Sequence, residues 1–279
     1  MNILKVSSDS PFDRMAPEYD IKFTDSVLGR LYRNALWNRM DCLFTGQRHI
    51  LELGCGTGED ALYLARQGHR VTAIDTSEKM IHQAQIKIEK AGYQDQVSFR
   101  MMDIENMNLF ALHTIEEGDE KPLIYGGALA NFGVLNCVQD LTAVARVMKS
   151  CLSVGAPVLF TIMGPIVPWE WLWYFFKGQP VKSFRRFRKG GVDWKGIRVR
   201  YPGVRKARAS FEPYFRICRI GALGCFIPPS YAESWAKNHP GTLNVLHRFE
   251  RRWATSPLIT NLADHYILEM EQVEKTIYL

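Results

Sequence analysis

The sequence predicts an α/β fold built on a doubly wound, mostly parallel sheet. Three observations carry that expectation. Short apolar runs alternate with helical patterns over residues 49–162. A glycine-rich turn, Gly54-Cys55-Gly56-Thr57-Gly58, follows the first run directly. An acid, Asp75, closes the second run about twenty residues later.

Each element has a local reason. Residues 49–53 read as the first strand and 58–67 as the first helix, which Gly68 stops before a second strand over 70–74. Ser77 caps a helix running to about Ala91, with Met80, Ala84, Ile88 and Ala91 on one stripe and Gly92 behind it. Strands three, four and five fall at 97–101, 123–129 and 156–162. Between the last two, Leu141, Val144, Ala145, Met148 and Leu152 recur at the helical period.

The turn after the first strand limits the ligand. A pyrophosphate site wants Gly-x-Gly-x-x-Gly and a helix N-terminus free to receive negative charge. Here the third glycine comes one position early, and Glu59 and Asp60 open the helix, so a phosphate is disfavoured. Glu52, two residues before the first glycine, is placed to meet a cationic amino group. Adenosylmethionine offers an ammonium, a sulfonium and a ribose, with no phosphate.

Glu52, Gly54, Gly56 and Gly58 resemble the Glu-x-Gly-x-Gly-x-Gly motif of the class I S-adenosylmethionine-dependent methyltransferases. The resemblance continues at Val71 to Asp75 and at Phe99 to Asp103. It implies a Rossmann-like fold of seven strands with an antiparallel last strand, for which Ala263 to Met270 stands as the candidate. It also implies that Asp75 holds the ribose hydroxyls and that Asp103 accepts from the adenine amino group, with Thr76, Met80 and Ile104 beside them. Family members carry an N-terminal segment over the cofactor, which places Tyr19 there. Arg33 then offers a guanidinium for a bidentate grip on the methionine carboxylate. Asn131, just past strand four, faces the methionine part.

The implied organisation is an N-terminal helical lid (1–48), an S-adenosylmethionine-binding core (49–163), a basic aromatic insert or substrate lid (164–229), and C-terminal helices with the closing strand (230–279). The insert is unusual in charge. From Lys182 to Arg208 eleven Lys or Arg face the single acid Asp193, a net of +10 within a chain of net +6, which leaves −4 for all the rest. That charge reads as a solvated face, as a clamp for an anionic acceptor, or as a nucleic-acid surface using Arg185, Arg186, Arg188, Lys189 and Lys195 on phosphates. Upstream, Trp169 to Phe176 reads mostly as core, with Trp169 and Trp173 as candidate walls of an acceptor pocket. A membrane-surface role, with aromatics between headgroups and arginines on anionic lipid, is a further reading, against which stands the lack of a clear amphipathic period through the block.

Asn136 is either an acceptor ligand or a helix cap. A general base is needed only where the acceptor carries a proton. His239, His247, His265, Glu170 and Asp193 are the candidates, with Glu170 and His265 carried forward. The expected activity is methyl transfer to a small acceptor, anionic or partly apolar. An RNA-binding modifier and a lyase or cyclase acting on adenosylmethionine are the alternatives. Six cysteines without a CxxC pair suggest reduced thiols rather than a metal site, and the absence of an apolar leader or a spanning segment suggests a cytoplasmic protein.

Overall fold

A computed structural model describes residues 10–47, 49–107 and 123–274. The first nine residues, on which the expectation of no leader rests, lie outside the described residues.

The elements are α1 (Pro11–Tyr19), α2 (Val27–Leu43), β1 (His49–Leu53), α3 (Glu59–Arg66), β2 (Arg70–Asp75), α4 (Glu78–Ala91), β3 (Val97–Met101), β4 (Gly127–Ala130), α5 (Leu141–Cys151) and β5 (Pro157–Met163). They continue with α6 (Pro168–Phe176), α7 (Pro180–Ser183), β6 (Val192–Trp194), β7 (Ile197–Val199), α8 (Val204–Phe211), β8 (Phe215–Leu223), α9 (Glu233–Asn238), α10 (Pro240–Trp253) and β9 (His265–Gln272).

Seven strands form one sheet in the order β3-β2-β1-β4-β5-β9-β8, and β6 and β7 make a separate hairpin. Strands β3, β2, β1, β4 and β5 run parallel, and β9 pairs antiparallel with both β5 and β8. The expected seven-stranded, mostly parallel sheet with an antiparallel last strand is what the chain builds. Chain order reverses between β1 and β4, so the loops after those strands diverge and leave a crevice at the carboxyl edge.

Alternation along each strand splits the core in two. Leu51, Leu53, Ala128 and Phe160 pack against α5 and α8 on one face, while Ile50, Leu129 and Leu159 pack against α2 and α3 on the other. Burial on both faces is why the strands read as continuous apolar runs.

One boundary differs clearly from expectation. Regular pairing in the fourth strand begins at Gly127, and upstream only Tyr125 makes an isolated bridge, to Leu152. Gly126 and Gly127 bring no side chain to that end of the strand, which weakens it. The N-terminal helical segment consists of two helices joined by a π-turn over Asp20–Thr24. Ser26 starts α2 by accepting from the Gly29 N–H, and a Cβ at Gly29 would lie 1.8 Å from the Phe23 carbonyl oxygen.

Residues 164–229 add α6, α7, the hairpin, α8 and β8. The basic stretch is not wholly solvated. Arg186 is buried, donating to Glu170 at 2.8 Å and to Asp264 at 2.6 Å, and Arg185 donates to Glu170 at 2.6 Å. The aromatic block is not wholly core either, since Leu172, Phe175 and Phe176 are exposed. Among the described residues no helix is long and apolar enough to cross a membrane.

Candidate active site

A cavity of about 1000 Å³ opens at the carboxyl edge of β1, β2 and β4. Its floor is the glycine turn. Gly54, Gly56 and Gly58 have φ of 67°, 53° and 74°, a region that costs other residues strain. A Cβ at Gly54 would lie 1.8 Å from Val134 Cγ2, whereas one at Gly56 would meet no protein atom within 4 Å. Gly54 is therefore fixed by the protein around it, and Gly56 leaves its backbone open.

Asp75 ends β2 beside this turn. Its carboxylate accepts from the Gly56 N–H at 2.8 Å and the Ser77 N–H at 2.9 Å, which locks turn and acid together. Burial raises the Asp75 carboxyl above the usual range despite those two donors. Glu52 is buried, and its Oε2 has no partner. Burial first, and then repulsion from Asp60, pushes its carboxyl well above the ordinary glutamate range.

The N-terminal segment closes over the turn. Asp20 accepts from Thr57 Oγ1 at 2.6 Å and pairs with Lys87 at 2.9 Å, and Asp13 accepts from Ser77 Oγ at 2.6 Å. Tyr19 thereby reaches the cavity wall, and burial pushes its phenol up to about 12. Arg33 also lines the cavity, but its Nη1 is committed to Asp60 at 2.7 Å, leaving the buried Nε without a partner. The bidentate pairing expected of Arg33 thus has one arm already occupied.

Asn131 donates to Asp60 at 2.9 Å, and its Oδ1 is buried without a partner. Thr76, Met80, Asp103 and Ile104 also line the cavity. Asp103 accepts from the Glu105 N–H and Asn106 Nδ2, both at 2.9 Å, which shapes the turn it sits on.

Asn136 does not reach the cavity. It is fully buried, donating to the Met163 and Arg200 carbonyls and accepting from the Met163 N–H, because it ties the loop after β4 to the end of β5 and to the hairpin strand. Helix α5 is capped by Asp140 instead. Glu170 is buried beneath Arg185 and Arg186, where two guanidiniums occupy its oxygens. Trp169 and Trp173 line a second, smaller hollow of about 300 Å³ with Trp235, outside the large cavity.

Of the five candidate bases only His265 lines the large cavity. It sits at the start of β9 with Asp264 Oδ2 3.3 Å from its Nδ1, although the angle makes no hydrogen bond and Nδ1 is without a partner. Burial raises the Asp264 carboxyl, but the Arg186 guanidinium and His265 outweigh it and hold it well below the usual range. Tyr231 is a cavity residue that sequence reasoning missed, and its buried hydroxyl is likewise without a partner. Phe132 is another. It adopts φ 55°, and its ring lies 4.7 Å from the Arg33 guanidinium and 6.3 Å from the His265 ring. Among the described residues no group of His, Cys, Asp or Glu is placed to hold a metal ion.

Residues 50–116 match the methyltransferase-domain family. A demethylmenaquinone methyltransferase of Leptospira interrogans is 29% identical over 182 residues, 62% of this chain and 68% of that protein. An S-adenosyl-L-methionine-dependent Diels-Alderase of Talaromyces variabilis is 44% identical over 59 residues, 21% of this chain and 20% of that protein. Among solved structures, the CcbJ methyltransferase of Streptomyces caelestis has a TM-score of 0.60 at 14% identity, covering 96% of this chain and all of that one, a likeness of fold.

Proposed function

Because the chain belongs to the class I S-adenosylmethionine-dependent methyltransferase family, we propose that it transfers a methyl group to a small-molecule acceptor bound in the large cavity. One observation carries the assignment of the site. Glu52 Oε2, Asn131 Oδ1 and Arg33 Nε are buried, lack partners and belong to one cavity. Two acceptors and one donor complement the ammonium and carboxylate of an amino acid, and leaving them empty is costly.

In this reading Glu52, Asn131 and Arg33 hold the methionine part, with Tyr19 against it. The open backbone at Gly56 and the turn through Gly54 and Gly58 admit the nucleoside. Asp75 takes the ribose hydroxyls with the lone pairs its two backbone donors leave free, and Thr76, Met80, Asp103 and Ile104 flank the base. The bound cofactor supplies an electrophilic methyl group. The protein's work is to orient an acceptor and exclude water. His265, backed by Asp264, takes the proton of an acceptor that carries one, and Tyr231 positions that acceptor.

Adenosylhomocysteine at about a hundredfold over its dissociation constant stabilises the fold by about 2.7 kcal/mol in this reading. Asp75→Ala removes most of that gain, and NAD gives none. A chain stabilised by NAD and indifferent to adenosylhomocysteine refutes the assignment.

A second reading is a cyclase or lyase that uses adenosylmethionine without methylating an acceptor, supported by the similarity to the Diels-Alderase. That similarity is confined to 59 residues, so it speaks for the cofactor more than for the reaction. Product analysis without added acceptor separates the two. The RNA reading loses support because Arg186 is buried and Arg185 is engaged with Glu170.

A further inference from the structure

The exposed apolar surface of this protein is concentrated. Leu172, Phe175, Phe176, Val181, Phe184 and Phe187 are all at least half exposed, and all fall within sixteen residues on α6, α7 and the turn after them. Leu172, Phe175 and Phe176 are spaced i, i+3 and i+4, so α6 turns one apolar stripe outward while Glu170 and the Trp173 side face the protein. A soluble surface does not gather so many large side chains without a partner.

The charges around that stripe have one sign. From Trp171 to Val192 the sequence contains no acid. Lys177, Lys182, Arg188 and Lys189 are exposed there, and the nitrogens of Lys177 and Lys182 lie 5.3 and 6.0 Å from the rings of Trp173 and Tyr174. Their stems therefore follow apolar surface while their heads stay in water.

We propose that α6, α7 and the following turn dock the protein on an anionic lipid surface, with the apolar stripe among the acyl chains and the surrounding cations on headgroups. Apolar side chains ringed by cations complement a layer of negative headgroups over hydrocarbon. Leu172 and Val181 favour lipid over RNA, because they have no ring face on which a base could stack. The hollow of about 300 Å³ between α6 and α9, lined by Trp169, Leu172, Trp173, Phe176 and Trp235, offers room for part of one chain. Arg185, Trp194 and Lys195, from this same segment or just beyond it, line the large cavity. Docking therefore brings the catalytic cavity to the bilayer, and the acceptor class that follows is a membrane-dissolved amphiphile. That last step rests on the proposed function, whereas the docking does not.

The test is sedimentation of the full chain with phosphatidylcholine vesicles, with and without about 30 mol % phosphatidylglycerol. The wild-type chain sediments with the anionic vesicles, less so at high salt, and stays in solution with phosphatidylcholine alone. Phe175→Glu with Phe176→Glu, and separately Arg188→Glu with Lys189→Glu, each weaken vesicle binding by about tenfold or more. Both variants keep the stabilisation by adenosylhomocysteine, which separates this proposal from the cofactor assignment. Wild-type protein that ignores anionic vesicles overturns the docking, and so do variants that sediment like wild type. Tighter binding of single-stranded RNA than of anionic vesicles, lost in the Arg188 and Lys189 variant alone, also overturns it.

Discussion

Arg33 of α2 donates to Asp60 in the first turn of α3 across 2.7 Å, and both side chains are buried. Asp60 also accepts from Trp37 Nε1 and Asn131 Nδ2, each at 2.9 Å. One carboxylate thus joins α2, the glycine-turn helix α3 and the loop after β4. Burial disfavours the Arg33 charge, but Asp60, together with Tyr19 and Glu59, outweighs it and holds the guanidinium above the ordinary range.

Asp60→Asn leaves that buried guanidinium without the carboxylate it is hydrogen-bonded to. The expected loss is about 3 kcal/mol, because removing one partner of a buried ion pair strands the other. Urea denaturation reads it as a lower midpoint at unchanged slope. A loss within the range of a surface substitution would show that water reaches Arg33.

How much of this was legible beforehand differs between fold and site. The strands read clearly because both faces are buried, and Asp75 and the glycines sit at spacings fixed by backbone geometry. Asp60 reads in the sequence as a charge at a helix terminus, and its donors from α2 and the loop after β4 have no local signature. Glu170 and Asn136 have the composition of functional residues, but both are spent on tertiary ties. Tyr231 and Phe132 are placed by the packing of loops, which no periodicity reports. Phe175 and Phe176 read as core in sequence because hydrophobicity alone does not say which side of a short helix finds a partner.

The two glycines of the turn differ in what a methyl group would do. At Gly54 an alanine combines a left-handed backbone with a collision against Val134, so Gly54→Ala lowers the melting temperature severely. At Gly56 no protein atom is in the way, and the cost is only backbone strain of about 1–2 kcal/mol. Gly56→Ala therefore folds but loses adenosylhomocysteine binding. Calorimetry on the folded variant decides this, and undiminished affinity would move the cofactor away from that backbone.

Glu52 makes stability depend on pH. Its carboxyl binds a proton more tightly folded than unfolded, because burial and Asp60 oppose its charge. Stability from this group is therefore undiminished at pH below the ordinary glutamate range. It falls as pH rises through the folded value and stays low above it. Glu52→Gln removes that slope, so the variant matches wild type in acid and exceeds it at higher pH. Denaturation series from about pH 4 to pH 8 give the comparison. An ammonium set against Glu52 by the proposed cofactor pose favours its charged form, so calorimetry in buffers of different ionisation enthalpy is expected to record proton release on binding that Glu52→Gln abolishes.

Arg186 secures the segment after β5 to the core. It reaches Glu170 of α6, Asp264 before β9 and the Gly164 carbonyl at 2.6 to 3.0 Å, with the Tyr201 ring 4.9 Å from its guanidinium carbon. Arg186→Met keeps much of the volume but strands Asp264, while Glu170 keeps Arg185. The loss, about 3–5 kcal/mol, falls on residues 164–201 rather than on the sheet. Limited proteolysis then cuts within that segment, and adenosylhomocysteine still stabilises what remains. Glu170→Gln leaves Arg186 its Asp264 partner but turns one of two accepting oxygens into a donor facing a guanidinium, so it loosens the same segment, and it leaves acceptor affinity unchanged since Glu170 lies outside the cavity lining. Cleavage spread evenly along the Arg186→Met chain would mean that this segment and the sheet unfold as one unit.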